Sequence, residues 1–382
     1  MKIAIDMVGT SLGSGTKTYN INFCNEISKY KKTRNYIYIY IYICKNYLKF
    51  IDKKIFNHPK IKLIIKSDLL SNSFFRLMWM QLILPFEIKL KKVSTLFSPM
   101  NIAPLFISFF NIKSILALHS NLPWRFFNLM PGNYFKKTLI KKIMQHSILN
   151  CDKLIVDSNY AKTEITKILK IDNKKVKVIY LGLNNQYYKR KNRFFLKNFK
   201  YNEEYILSVQ SCVKYHNIIN ILKAFNLIIK LYKPKITLVL VMQILDREYF
   251  NEINEYINKN NLSGKIKIMS KLDNSYLVNL YKHAKLYIFS SYSEVFGYTT
   301  IEAMACGCPV LVSKRSSLPE INGKAAKYFN PDSINSIKKK ILIILKKDKL
   351  RSVMSLKGLV YAKKFNNKKN FVETFNEINL CN

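Results

Sequence analysis

Short apolar runs alternate with segments whose apolar residues recur at helical spacing, and the alternation continues almost to the end of the chain. In the first half the runs at 2–6, 36–43, 61–65, 113–118, 154–157 and 176–180 are rich in Ile and Val and nearly unbroken in apolar character. Strands covered on both faces look like this, so a parallel sheet is predicted. Between the runs, 17–30, 136–149 and 160–169 have the three-and-four spacing of helices, the last with Ser158 placed to cap it. The run at 36–43 alternates Tyr with Ile, which fits a central strand packed between helices. A polar stretch at 189–200 then interrupts the pattern and reads as a linker. Beyond it, strands are predicted at 205–209, 236–241, 266–269, 286–290 and 310–313, with helices at 218–231, 274–283 and 334–345 among them. Each half is thus expected to be a doubly wound, Rossmann-like α/β domain. The expected division is a first domain over 1–185, a linker over 186–203, a second domain over 204–350 and closing helices over 351–382.

A length of 382 residues, 49% of them hydrophobic, suffices for two such cores. The longest apolar region, 96–118, is cut by Pro99, Asn101, Pro104, Asn111 and Lys113, so it will not span a bilayer. The start, Met-Lys-Ile-Ala-Ile-Asp, sets an acid at position 6, where a signal peptide would be building its apolar core. The seven cysteines show neither Cys-x-x-Cys spacing nor zinc-type pairing with the five histidines. A reducing cytoplasm is therefore the expected location, with peripheral attachment to the inner membrane face as its variant.

The net charge of +41 attracts polyanions, either nucleic acid or an anionic membrane surface. Over-use of Lys, Ile, Asn and Tyr, as an A+T-rich coding sequence would give, competes as the explanation. No helix-turn-helix, zinc or RNA-binding motif accompanies the charge, which weighs against a nucleic-acid partner. Aromatics and cations mix at 74–80 and 124–127, ahead of Lys136, Lys137, Lys141 and Lys142. That mixture suits an interfacial surface, and core aromatics beside solvated lysines would give it equally.

Candidate chemistry concentrates between Ser290 and Pro331, where Glu294 and Glu302 stand eight positions apart across a glycine-containing turn and a short helix. The good helix formers from Ile301 to Ala305 predict that helix, with Thr299 or Thr300 as its N-cap, Glu302 in its first turn and Gly307 as its stop. A strand–turn–helix start of this kind presents unpaired N–H groups and a positive dipole end, and Gly297 lets an anion approach. Glu302 can accept from a diol such as a ribose, and Glu294 can reach a sugar hydroxyl. Solvated charges at a helix start are the competing reading; the small residues Ala303, Ala305 and Gly307 point instead to burial, and buried Glu needs a partner.

The segment also resembles the donor-binding motif of the retaining family 4 glycosyltransferases. Glu294, Phe296, Gly297, Glu302, Ala303, Met304, Ala305, Cys306, Gly307, Pro309, Val310, Ser316, Ser317, Leu318, Pro319, Glu320 and Gly323 match its pattern. The resemblance implies the GT-B architecture, two Rossmann-like domains facing a cleft, with the closing helices returning to the first domain. It implies transfer of a hexose from a UDP- or GDP-sugar to a glycan or lipid-linked acceptor, with retention, in cell-surface polysaccharide or lipopolysaccharide synthesis. The nucleotide sugar is then a substrate, and neither cofactor nor metal is expected; no Asp-x-Asp pair occurs in the chain.

Other site residues follow by position. Gly13 and Gly15, in a glycine-rich turn after the first strand, match the loop that lies near the transferred sugar and acceptor. His119 follows a buried strand where the family places a functional histidine, although Ser120 stands where Asp is usual. Ser211 and His216 fall where many members carry an Arg or Ser and a Lys for the donor pyrophosphate. Because His is a cation only when protonated, Lys214 is the first choice for that phosphate and His216 the second. Phe296, Gly297, Tyr298, Thr299 and Glu302 complete the donor side, with His119 and Glu294 as catalytic candidates. A GT-B epimerase or phosphorylase and a charge-driven nucleic-acid binder stand as alternatives.

Overall fold

A computed structural model describes residues 1–9, 15–29, 37–130, 132–188, 199, 203–232 and 235–381. The chain divides into two compact units: Met1–Trp124 with Asn133–Gly182 and Phe365–Asn382, and Arg125–Gly132 with Leu183–Lys364.

The first unit holds β1 (Lys2–Asp6), β2 (Tyr38–Cys44), β3 (Ile61–Lys66), β4 (Thr95–Ser98), β5 (Lys113–Leu118), β6 (Lys153–Val156) and β7 (Val176–Val178). They form one parallel sheet in the order β3-β2-β1-β4-β5-β6-β7. The Tyr/Ile run becomes β2, flanked by β1 and β3, with Ile41, Tyr42 and Ile43 wholly buried. Tyr36, included in the expected strand, lies outside the described residues. β4 escaped the sequence reading because its four residues open a longer apolar stretch with no turn signal ahead of them.

The second unit holds β8 (Tyr205–Cys212), β9 (Thr237–Ile244), β10 (Ile266–Met269), β11 (Leu286–Phe289), β12 (Val310–Ser313) and β13 (Lys327–Phe329), in the order β10-β9-β8-β11-β12-β13. Its pairs are likewise parallel. Ile221, Leu222, Phe225 and Ile228 of the helix Ile218–Tyr232 pack over this sheet with Tyr249, Ile253 and Ile257 of the helix Arg247–Lys259. The four-residue spacing of the second set is the pattern that buries one stripe of a helix.

Two expectations about the division of the chain are corrected. The helix Asp348–Ala362, expected to return to the first domain, belongs to the second unit, where a Cβ on Gly358 would come 3.4 Å from Met304. Only the helix Asn367–Leu380 joins the first unit, setting Phe371 edge-on to Phe23 at 5.0 Å. Residues 125–132, expected in the first domain, fall in the second unit. The expected linker lies mostly outside the described residues.

The helix after β11 spans Tyr298–Ala305 and is capped by Gly297 at φ 81°, not by a threonine. Both threonines are already inside it. Thr300 donates its hydroxyl to the Gly297 carbonyl at 2.7 Å, and Thr299 accepts from the Tyr287 hydroxyl at 2.7 Å. Glu302 therefore stands one turn later than expected. Gly307, at φ 79°, ends the helix as predicted.

Candidate donor and sugar sites

In each sheet the strand order reverses at the centre, between β1 and β4 and between β8 and β11. Open α/β sheets bind ligands beyond the carboxyl ends of the strands at such a point. In the second unit the turns leaving β8 and β11 are tied together there. Tyr292 donates its N–H to the Tyr215 carbonyl at 2.8 Å, and the Ser290 hydroxyl lies 2.7 Å from the His216 carbonyl and 3.0 Å from that of Asn217. Asn217, in the left-handed region at φ 56°, turns the chain into the helix Ile218–Tyr232. Ser316 and Ser317 hold the backbone of Glu294, accepting from its N–H at 2.9 Å and donating to its carbonyl at 2.8 Å.

This scaffold brings His216 and Glu294 together. Nδ1 of His216 lies 2.7 Å from the Ser211 carbonyl and Nε2 lies 3.3 Å from Oε1 of Glu294. The Ser211 carbonyl is an acceptor, so that contact calls for a proton on Nδ1, while Nε2 faces the Glu294 carboxylate at ion-pair distance. Lys214, the first-choice phosphate partner, is exposed, while His216 is buried.

Phe296 is buried, and Tyr298 and Thr299 are half-buried at the helix start. Gly297 must remain glycine, because a Cβ there would lie 2.5 Å from Cδ2 of Leu318 on a backbone already at φ 81°. Glu302 is only 6% exposed and has the partner its burial requires. The Tyr281 hydroxyl donates to its Oε2 at 3.0 Å, and Tyr187 also hydrogen-bonds its carboxylate. Burial pushes the carboxyl up to about 7, with the two tyrosine hydrogen bonds pulling the other way. The same burial and the facing carboxylate hold both tyrosine hydroxyls well above their ordinary range. The sequence reading did not find Tyr187 or Tyr281, which come from distant segments and match no motif.

In the first unit, β5 delivers His119 and β6 delivers Asp157. Parallel pairing sets Leu118 level with Val156, so the next residues of both strands leave the sheet side by side. Nδ1 of His119 lies 3.0 and 2.9 Å from the two carboxylate oxygens of Asp157. The His119 N–H donates to Oδ1 of Asn101 at 2.6 Å, and the ring packs on Tyr19 with centroids 4.7 Å apart. Gly15 opens the helix Gly15–Ile27, whereas Gly13 lies outside the described residues. The turn after β1 is held by Arg76, which reaches Asp6 at 3.3 Å and donates Nε to the Val8 carbonyl at 2.5 Å. Arg76 is thus a buried structural cation rather than part of an exposed aromatic-cationic surface. Among the described residues, no three His, Cys, Asp or Glu side chains gather as metal ligands.

Residues 189–359 match the family model described as glycosyl transferases group 1. The matched residues lie within the second unit. The chain is similar to the O-antigen chain mannosyltransferase B of Escherichia coli, 26% identical over 253 residues, which cover 65% of this chain and 64% of that protein. It is similar also to the O-antigen chain mannosyltransferase RfbU of Salmonella typhimurium strain LT2, 27% identical over 213 residues and 54% of each chain. It therefore spans less than two thirds of the length of these curated relatives. Among solved structures, a glycosyltransferase from Rickettsia africae ESF-5 matches with a TM-score of 0.72 at 19% identity, over 100% of this chain and 98% of that one. WaaG, a glycosyltransferase involved in lipopolysaccharide biosynthesis, matches with a TM-score of 0.72 at 12% identity, over 98% and 99%. The fold is of the GT-B type.

Proposed function

We propose that the chain transfers a hexose, with mannose the first candidate, from a UDP- or GDP-sugar to a glycan or lipid-linked acceptor in cell-surface polysaccharide or lipopolysaccharide synthesis. The observation that carries this reading is the Glu294–His216 pair at the switch point of the second sheet, beside the glycine-capped helix start at Gly297. The two mannosyltransferase relatives support the choice of sugar. Glu294 accepts a hydrogen bond from a hydroxyl of the transferred sugar. The charge of the departing nucleoside diphosphate is met by the helix N-terminus, His216 and the neighbouring Lys214. Glu302, through its tyrosine pair, sets the wall against which the nucleoside lies. The sugar is transferred with retention at its anomeric carbon, leaving group and acceptor hydroxyl meeting on one face. Incubation with a panel of UDP- and GDP-sugars and membrane-lipid extract is expected to release nucleoside diphosphate, with GDP-mannose the best donor. No release and no binding across the panel would sink the reading.

The first unit is also proposed to rest on an anionic membrane, at the inner face of the cytoplasmic membrane. Phe135, Leu139, Lys142 and His146 are exposed and follow one face of the helix Tyr134–Asn150, and the His146 ring meets Phe106, itself exposed beside Phe109. Phe109 and Phe135 are 82% and 84% exposed, an arrangement that suits insertion of rings between lipids while lysines meet the headgroups. Among the described residues, no helix is long and apolar enough to cross a membrane. The protein is expected to float with phosphatidylglycerol vesicles and not with phosphatidylcholine vesicles, and the double change Phe109→Asp, Phe135→Asp should weaken binding about 10-fold or more. Flotation that ignores both changes would dismiss this face as the contact.

A further inference from the structure

We propose that Asp157 is a positioning residue for His119, fixing the ring tautomer so that a bare Nε2 accepts a hydrogen bond from a sugar hydroxyl; this rests on the glycosyltransferase reading above. Nothing in the motif pattern points to Asp157, which follows a four-residue strand and precedes a helix-capping serine.

Three observations carry it. Both carboxylate oxygens of Asp157 lie within 3.0 Å of Nδ1, a distance that calls for a proton on Nδ1. With that proton in place, the neutral ring keeps a lone pair on Nε2. That atom is buried and has no hydrogen-bond partner among the described residues, on a side chain only 8% exposed. A buried polar nitrogen left unpaired destabilises the fold, so a partner supplied by substrate is a physical reason to keep it.

The ring is also fixed against rotation. The backbone N–H of His119 is bound to Asn101, one face of the ring lies on Tyr19, and Asp157 is itself buried at the carboxyl end of β6. A ring held so on three sides presents one atom in one direction. Its complement is a hydroxyl donor, which sugars offer in abundance. An anion has no proton to give to Nε2, so the diphosphate is the wrong partner for this atom. The helix start of the second unit suits phosphate, whereas the bare nitrogen of the first unit suits a hydroxyl.

The test is a long-range proton–nitrogen correlation spectrum of the full chain labelled at histidine with nitrogen-15, recorded at mildly alkaline pH, with His119→Gln assigning the resonance. The expected wild-type signal has a protonated Nδ1 and an unprotonated Nε2. Asp157→Asn, which can turn its amide N–H toward Nδ1, should move the proton to Nε2, and Asp157→Glu should restore the original form. With GDP-mannose as donor, Asp157→Asn should lower kcat about 10-fold or more with KM nearly unchanged, and Asp157→Glu should recover most of it. A wild-type ring carrying its proton on Nε2 overturns the proposal without any measurement of turnover. So does a folded Asp157→Asn protein whose tautomer and kcat equal those of the wild type. Absence of transfer by the wild type would instead count against the glycosyltransferase reading and leave the spectrum to decide the tautomer.

Discussion

Glu294→Gln lowers sugar transfer on the order of 10²- to 10³-fold, His216→Ala lowers it by a similar factor, and the double variant is little worse than either. The expectation follows from the 3.3 Å contact between the two side chains and from the Ser211 carbonyl on the other ring nitrogen. Glu294→Gln keeps an acceptor oxygen but takes away the negative charge that faces the ring. Removing the ring leaves the carboxylate without its neighbour. Two groups that act as one unit give losses that do not multiply. His216→Lys is the informative companion, because it puts a fixed charge where the ring stands and should retain nucleoside diphosphate binding. Steady-state kinetics with the best donor of the sugar panel check all four proteins. Losses that multiply in the double variant would separate the two residues into independent roles.

Burial of the Glu302 carboxyl is expected to contribute stability that falls as pH rises from 4.5 to 7, and Glu302→Gln should remove that contribution. The native carboxyl is held up to about 7 against an ordinary value of 4.5, so the folded state binds its proton more tightly than the unfolded chain does. The stabilisation is therefore complete below 4.5 and is lost as the carboxyl ionises through about 7. A displacement of this size corresponds to roughly 3 kcal/mol. Gln is neutral at every pH and still accepts from the tyrosines, so the variant should be the more stable protein at pH above 7. Glu302→Leu differs in kind, since it strands the buried Tyr281 and Tyr187 hydroxyls and should cost about 2–5 kcal/mol. Urea unfolding of wild type and both variants on either side of neutrality measures these differences. A wild-type advantage over Glu302→Gln that grows with pH would show that the carboxylate form is the one the fold prefers.

The parts of the fold visible in the sequence are those where a single physical requirement acts locally. Strands covered on both faces must be apolar throughout, which is why β1, β2, β5 and β12 could be read with nearly correct ends. β4 opens a longer apolar stretch and β13 begins on Lys327 in a three-residue run, so neither stands out from the sequence around it. The threonine cap failed because both threonine hydroxyls found other partners and a left-handed glycine supplied the turn instead. At the site, Glu294, Gly297 and Glu302 were legible because the motif is continuous in sequence. Tyr187 and Tyr281, which make a buried Glu302 tolerable, were not legible, since they are 94 residues apart and meet only in space. Asp157 lies between these cases: once β5 and β6 are known to be parallel neighbours, their register alone sets it beside His119.

The return of the helix Asn367–Leu380 to the first unit has a consequence for the order of events during synthesis. Phe371 and Phe375, 2% and 1% exposed, complete the apolar layer that begins at Phe23, and Asn370 donates to the Tyr180 carbonyl at 2.8 Å. Gly182 accepts the helix start so closely that a Cβ would lie 2.4 Å from Cα of Asn367. A nascent chain halted on the ribosome before residue 367 would hold every strand of both sheets yet leave that layer uncovered. The unit translated first is thus the one whose core is sealed last.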